Sequence, residues 1–153
     1  MLQDEPRIHT GQCACGAVRF ATRGPLRGVI YCHCTQCRRQ TGHFLAATAC
    51  PDDAVKVEGA AHITWFQSSA DARRGFCAIC GSGLFWKNMT KDDTSIMAGL
   101  FDNPNDLRAH SHIFVADRGC YYGITDGLPQ HDTAPPGLIT THSISVSGDW
   151  PQA

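Results

Sequence analysis

The sequence predicts a mainly β domain of packed antiparallel sheets with short helical turns. Three observations carry this. Short runs of β-branched, aromatic and small residues recur along the 153-residue chain, separated by turn-forming pieces such as Pro51-Asp52-Asp53 and Asp102-Asn103-Pro104-Asn105. No stretch sustains a hydrophobic period of 3.6 residues. Seven of the nine cysteines fall into three tight clusters, the grammar of thiolate metal sites.

Taken in order, residues 16–22 alternate small or apolar side chains with polar ones, and residues 28–32 are β-branched and aromatic. Both read as strands. The Gly-Pro turn in Arg23-Gly24-Pro25-Leu26-Arg27 predicts that they pair as a hairpin, with one cysteine cluster before the first strand and another at the end of the second. Further strands are predicted at 44–50, 55–58, 62–66, 83–87, 95–100 and 112–115. Helix is confined to a turn or two, at 34–40 and 105–109. There are no internal repeats. Residues 1–132 are expected to form one domain. Residues 133–153, with their prolines and serines, are expected to form a loosely packed tail in which 143–146 can add an edge strand and Trp150 an anchor.

Composition excludes several classes. A length of 153 residues suits one domain. With 18% charged residues and a formal net charge of −1, the chain has no general attraction for nucleic acid or anionic membranes. The first ten residues lack a basic segment followed by an apolar one, and no apolar run approaches the ~18 residues of a membrane span. A soluble, cytoplasmic protein is expected. Nine cysteines without a secretory signal favour metal over a disulfide framework, and the odd number points the same way.

The cysteines divide as four plus three. In an extended segment residues i and i+2 face the same side, so Cys13 and Cys15 offer two sulfurs to one ion, as do Cys32 and Cys34. Cys77 and Cys80 form a C-x-x-C turn, with Gly81 where a positive φ is needed to leave it. The pairs Cys13/Cys15 and Cys77/Cys80 close a four-sulfur site. Cys37 joins Cys32 and Cys34 through a second C-x-x-C turn, and no fourth cysteine is near. A structural zinc takes four ligands in a tetrahedron; a catalytic zinc keeps three and an open position.

These motifs carry a resemblance. The strings GQCACGAVRF, CHCTQCRRQTG, FCAICGSGLFW and GLFDNPNDLRAHSHIFVADRGCYYGITDGLP, in this order and spacing, resemble the glutathione-dependent formaldehyde-activating enzyme family, which includes centromere-protein-V type domains on an Mss4-like fold. The likeness runs from about residue 11 to 129. It implies a structural zinc on Cys13, Cys15, Cys77 and Cys80, and a catalytic, labile zinc on Cys32, Cys34 and Cys37. It also implies a carbon–sulfur lyase that adds glutathione to formaldehyde or releases it. Cys120 departs from the acidic or aromatic residue expected in relatives.

Zinc with three thiolates carries a net charge of about −1, which weakens its Lewis acidity, so nearby cations matter. Arg38 and Arg39 follow Cys37 directly. They are read either as offsetting that charge and gripping a glutathione carboxylate, or as solvated surface residues. Arg73 and Arg74 reach the substrate only if the two sites lie close together. His33, between two ligands that share a face, should point away from them. His43 is read as a fourth ligand, a proton shuttle or a plain strand residue. His110 and His112 have metal-pair spacing, but the strand that follows turns one of them to solvent. Cys50 is read as a buried small hydrophobe, and Phe85 and Trp86 as core. Two rivals to the enzyme reading stand: a zinc-scaffolded binding module without catalysis, and a thiol-redox protein.

Overall fold

The computed structural model describes residues 6–136. Strand β1 (Ile8–Gln12) pairs antiparallel with β2 (Arg19–Arg23), and β2 pairs with β5 (Val55–Glu58), giving a three-stranded sheet in the order β1-β2-β5. The second sheet gathers β3 (Val29–Cys32), β4 (Leu45–Pro51), β6 (Ile63–Gln67), β7 (Ala72–Cys77), β8 (Gly83–Asn88), β9 (Asp93–Met97) and β10 (Ala109–Ile113) in the order β10-β3-β4-β9-β8-β7-β6. All its pairings are antiparallel except β10 with β3, which is parallel. Helix is confined to α1 (Thr35–Thr41) and short 3-10 turns, as the missing 3.6 period requires.

Two features depart from the sequence expectation. The segments at 16–22 and 28–32 do not form a hairpin: β2 spends both of its edges on β1 and β5, and β3 pairs with β4 and β10. The Gly-Pro link instead crosses between sheets, with Gly24 N donating to Arg7 O (2.8 Å) and Arg27 N to Ala49 O (3.0 Å). A Gly-Pro signal marks a change of direction but does not choose the partner strand. Cys13 and Cys15 also lie in a turn beyond the end of β1, not in an extended strand, and Cys34 lies beyond β3 as the cap of α1.

Two apolar clusters form the core. One contains Val18 and Phe20 from the small-sheet side with Leu84, Phe85, Ile96 and Phe101, and it includes Cys13 and Cys77. Phe20 meets Phe101 and Phe85 edge-on, at centroid distances of 5.1 and 6.1 Å. The other surrounds Cys32, Cys34 and Cys37 with Ile30, Leu45, Ala47, Ile113 and Phe114. Each cysteine group therefore sits on its own core.

The start of the C-terminal segment is tied down: Ala134 packs on the second cluster, and Phe114 N donates to Thr133 O (3.4 Å). The expected edge strand at 143–146 and the Trp150 anchor lie outside the described residues. Among those described, no helix is long and apolar enough to cross a membrane.

Candidate metal centres

Two similar turns build the four-sulfur site. After β1, Gly16 N donates to Cys13 O (3.1 Å); after β7, Gly81 N donates to Cys77 O (2.8 Å). Both glycines have φ of 77°, a conformation that L side chains adopt only with strain. A cross-link from Ala14 N to Ser82 Oγ (3.0 Å) locks the turns together. Cys13 Sγ lies 3.6 Å from Cys15 Sγ, and Cys15 Sγ lies 3.8 Å from Cys77 Sγ. A tetrahedral ion with metal–sulfur bonds of about 2.3 Å needs edges of about 3.8 Å, so this donor set fits zinc. The Ser82 hydroxyl, 3.2 Å from Cys80 Sγ, together with the Ser82 backbone N–H, holds the Cys80 thiol down at about 5.

The three-sulfur site is assembled where β3 runs into α1. Cys32 ends the strand opposite Leu45 and Ile113. Cys34 caps the helix, its Sγ accepting from Cys37 N (3.4 Å), so the cap also turns Cys37 inward. All three cysteines are buried, and their sulfurs lie within 4.8 Å of one another. Neighbouring Cys34 and Cys37, with burial added, push the Cys32 thiol well above its ordinary value. A bound cation would favour the ionised form of a thiol raised in this way. Among the described residues, the four-sulfur and three-sulfur groups are the clusters able to hold an ion.

The arginines take different positions. Arg39 is exposed and lines a hollow of about 210 Å³ with Gln36, Gln40, Phe66, Ser68 and Arg74. Arg38 is half-buried in the last turn of α1. Arg73 stacks over Trp65, 4.1 Å from the ring centroid. Arg74 is 3% exposed, with Nη1 and Nη2 at 3.7 and 3.6 Å from Cys37 Sγ. Gln40, at the mouth of the first hollow, also lines a cavity of about 590 Å³ that passes Phe44 and Leu45 and reaches Gly81 and Gly83. Its lining includes residues that follow each cysteine group, Gln40 and Thr41 after Cys37 and Gly81 after Cys80.

His33 turns away from the sulfurs and enters a buried chain of hydrogen bonds. Its Nδ1 lies 2.5 Å from Tyr122 Oη and its Nε2 2.8 Å from His112 Nδ1; His112 Nε2 lies 2.8 Å from Asp126 Oδ2. With both imidazoles neutral, one arrangement satisfies the chain: His112 Nε2–H donates to Asp126, His33 Nε2–H donates to His112, and the Tyr122 hydroxyl donates to His33 Nδ1. Both His33 nitrogens are thereby committed. Burial, with His112 and His43 nearby, lowers the His33 pKa to about 4.

His43 is exposed and meets Phe44 at a tilt and Tyr122 edge-on, with centroids at 4.2 and 4.3 Å. His110 is exposed and His112 buried; in a regular strand the two would share a face, and the register shift between Ala109 and Ser111 separates them. Cys50 is buried, which raises its thiol to about 11. Phe85 is core and Trp86 half-buried beside it; Cys120 is exposed next to Tyr121. Sequence reasoning missed Tyr122 and Asp126, whose only signal was the inward-facing His112.

Fold and sites define a mainly β domain with two cysteine clusters able to hold a metal ion. Residues 8–117 match the model of the glutathione-dependent formaldehyde-activating enzyme family, and the chain belongs to that family. A Halomonas elongata protein, provisionally named as a glutathione-dependent formaldehyde-activating enzyme, is 35% identical over 83 residues, covering 49% of this chain. The chain spans about half the length of that curated relative, 53%. A crystal structure of a Rhodobacter sphaeroides protein superposes with a TM-score of 0.53 at 25% identity, covering 63% of this chain and 93% of that one. The architecture is of the Mss4-like type.

Proposed function

We propose that this chain is a zinc-dependent carbon–sulfur lyase that joins a thiol, glutathione, to formaldehyde or a related small aldehyde and also releases it. The unequal sulfur clusters carry the reading. Four sulfurs satisfy a tetrahedral ion, whereas Cys32, Cys34 and Cys37 leave one position for an exchanging ligand. Family membership supports the substrates.

In the forward direction the thiol sulfur bonds to the carbonyl carbon, the C=O π pair moves to oxygen, and the thiol's proton ends there. The reverse reaction breaks the same bond. Zinc on the three cysteines would supply Lewis acidity toward the carbonyl and acidify a thiol. The chain's own residues do the rest. Arg39, on the rim of the smaller hollow, and Arg38, on α1, offer two-pronged hydrogen bonds to the carboxylates of glutathione. Phe44 and Leu45 give the larger cavity an apolar wall. The unit responsible is residues 1–132, working in the cytoplasm on small molecules, with neither nucleic acid nor membrane as partner.

The test is exchange NMR of formaldehyde and glutathione with their adduct, on protein carrying two zinc equivalents and on Cys34→Ser. Faster interconversion that vanishes in the variant is the expected result. Uncatalysed rates with the two-zinc protein would sink the lyase reading and leave a zinc-scaffolded binding module.

A further inference from the structure

Arg74 is a cation in the wrong place for an ordinary surface arginine. It is 3% exposed, and among the described ion pairs no carboxylate meets it. A buried charge is retained only when paired and hydrogen-bonded. Both of its terminal nitrogens lie against Cys37 Sγ, at 3.7 and 3.6 Å, a sulfur that becomes a thiolate when the site is metal-loaded. The guanidinium is also clamped from α1: Nη1 donates to Gln40 Oε1 (2.7 Å) and Nη2 to Gln36 Oε1 (3.3 Å). Gln36 Nε2 donates in turn to Ser68 O (3.1 Å), which fixes α1 against the β6–β7 turn. These neutral acceptors orient the cation and leave its charge uncancelled.

We propose that Arg74 is the fixed counter-charge of the Cys32/Cys34/Cys37 site, a positioning residue that acts through Cys37. The proposal rests on the reading that this site holds a metal. A divalent ion with three thiolates has a net charge of −1, and the guanidinium brings the assembly to neutrality inside the protein, where charge interactions are strong. Its N–H groups take electron density from Cys37 Sγ, so that sulfur donates less to the metal and the metal stays a better electron acceptor.

The test is titration of the metal-free protein with Co²⁺, followed by thiolate-to-cobalt charge-transfer absorption, for wild type, Arg74→Met, Arg74→Lys and Gln40→Leu. Arg74→Met should weaken the second cobalt equivalent roughly 10–100-fold, as loss of such outer partners does. Its charge-transfer band should move to lower energy, because the sulfur becomes more electron-rich. Arg74→Lys should recover part of the affinity through its charge. Gln40→Leu leaves the cation but loosens its hold on Cys37, so it should shift the band with a smaller loss of affinity; it decides the matter if Arg74→Met fails to fold. A purely structural arginine would weaken both equivalents alike or leave the second band unmoved, and either result overturns the proposal. A wild-type protein that takes one equivalent only would overturn the metal reading itself, and the counter-charge with it.

Discussion

His33 shows how one residue can be read correctly for one property and incompletely for another. Its place between Cys32 and Cys34 predicts a side chain that turns away from the sulfurs, and it does so. What it turns toward, the Tyr122–His33–His112–Asp126 chain, depends on residues 79 and 89 positions away and has no local signature. The chain gives a signed pH prediction. Folded His33 stays neutral down to about pH 4, whereas the unfolded residue takes a proton near 6.5. Between those values the unfolded state holds the extra proton, so stability is lost as pH falls. Urea denaturation across this range should show a steeper decline for wild type than for His33→Gln; equal slopes would contradict a neutral buried His33. Tyr122→Phe, which leaves His33 Nδ1 without a donor, should cost about 1–3 kcal/mol at neutral pH in the same assay.

At the scale of elements, the strands that local pattern revealed are those with β-branched or aromatic alternation, such as β5 and β8. Two strands escaped it. β1 (IHTGQ) is short and largely polar, and β7 (ARRGFC) carries adjacent arginines that read as a solvated stretch. Arg74 is nevertheless inside, because its partners Gln36, Cys37 and Gln40 lie 34 to 38 positions away on α1. The hairpin expected around Gly24-Pro25 failed for a related reason: strand pairing is decided by the whole sheet. The Cys77–Cys80 turn, by contrast, was legible, since C-x-x-C followed by glycine encodes its own geometry. Gly81→Ala puts a side chain at φ 77° and should lower stability by about 1–2 kcal/mol, read as a lower urea midpoint with zinc still bound. An unchanged midpoint would mean that the turn relaxes.

For the whole molecule, the two sulfur sites are expected to differ in what they hold together. The four-sulfur site joins the end of β1 to the end of β7, with Cys15 and Cys77 separated by 62 positions. Closing so long a loop through a metal is a folding contribution, on the order of 10 kcal/mol for structural zinc in small peptides. Cys80→Ser should therefore abolish the cooperative melting transition in circular dichroism. Cys37→Ser should keep that transition and lose one zinc by native mass spectrometry. If both variants unfold alike, the three-sulfur site is structural too.

The most direct measurement is the rate of glutathione–formaldehyde adduct interconversion as zinc is added to metal-free protein, from none to two equivalents. Four sulfurs bind zinc more tightly than three, so the first equivalent should fill the structural site and leave the rate at its uncatalysed value. The rate should then rise between the first and second equivalents and level off. A rate that rises with the first equivalent, or that never rises, would contradict a catalytic site at Cys32, Cys34 and Cys37.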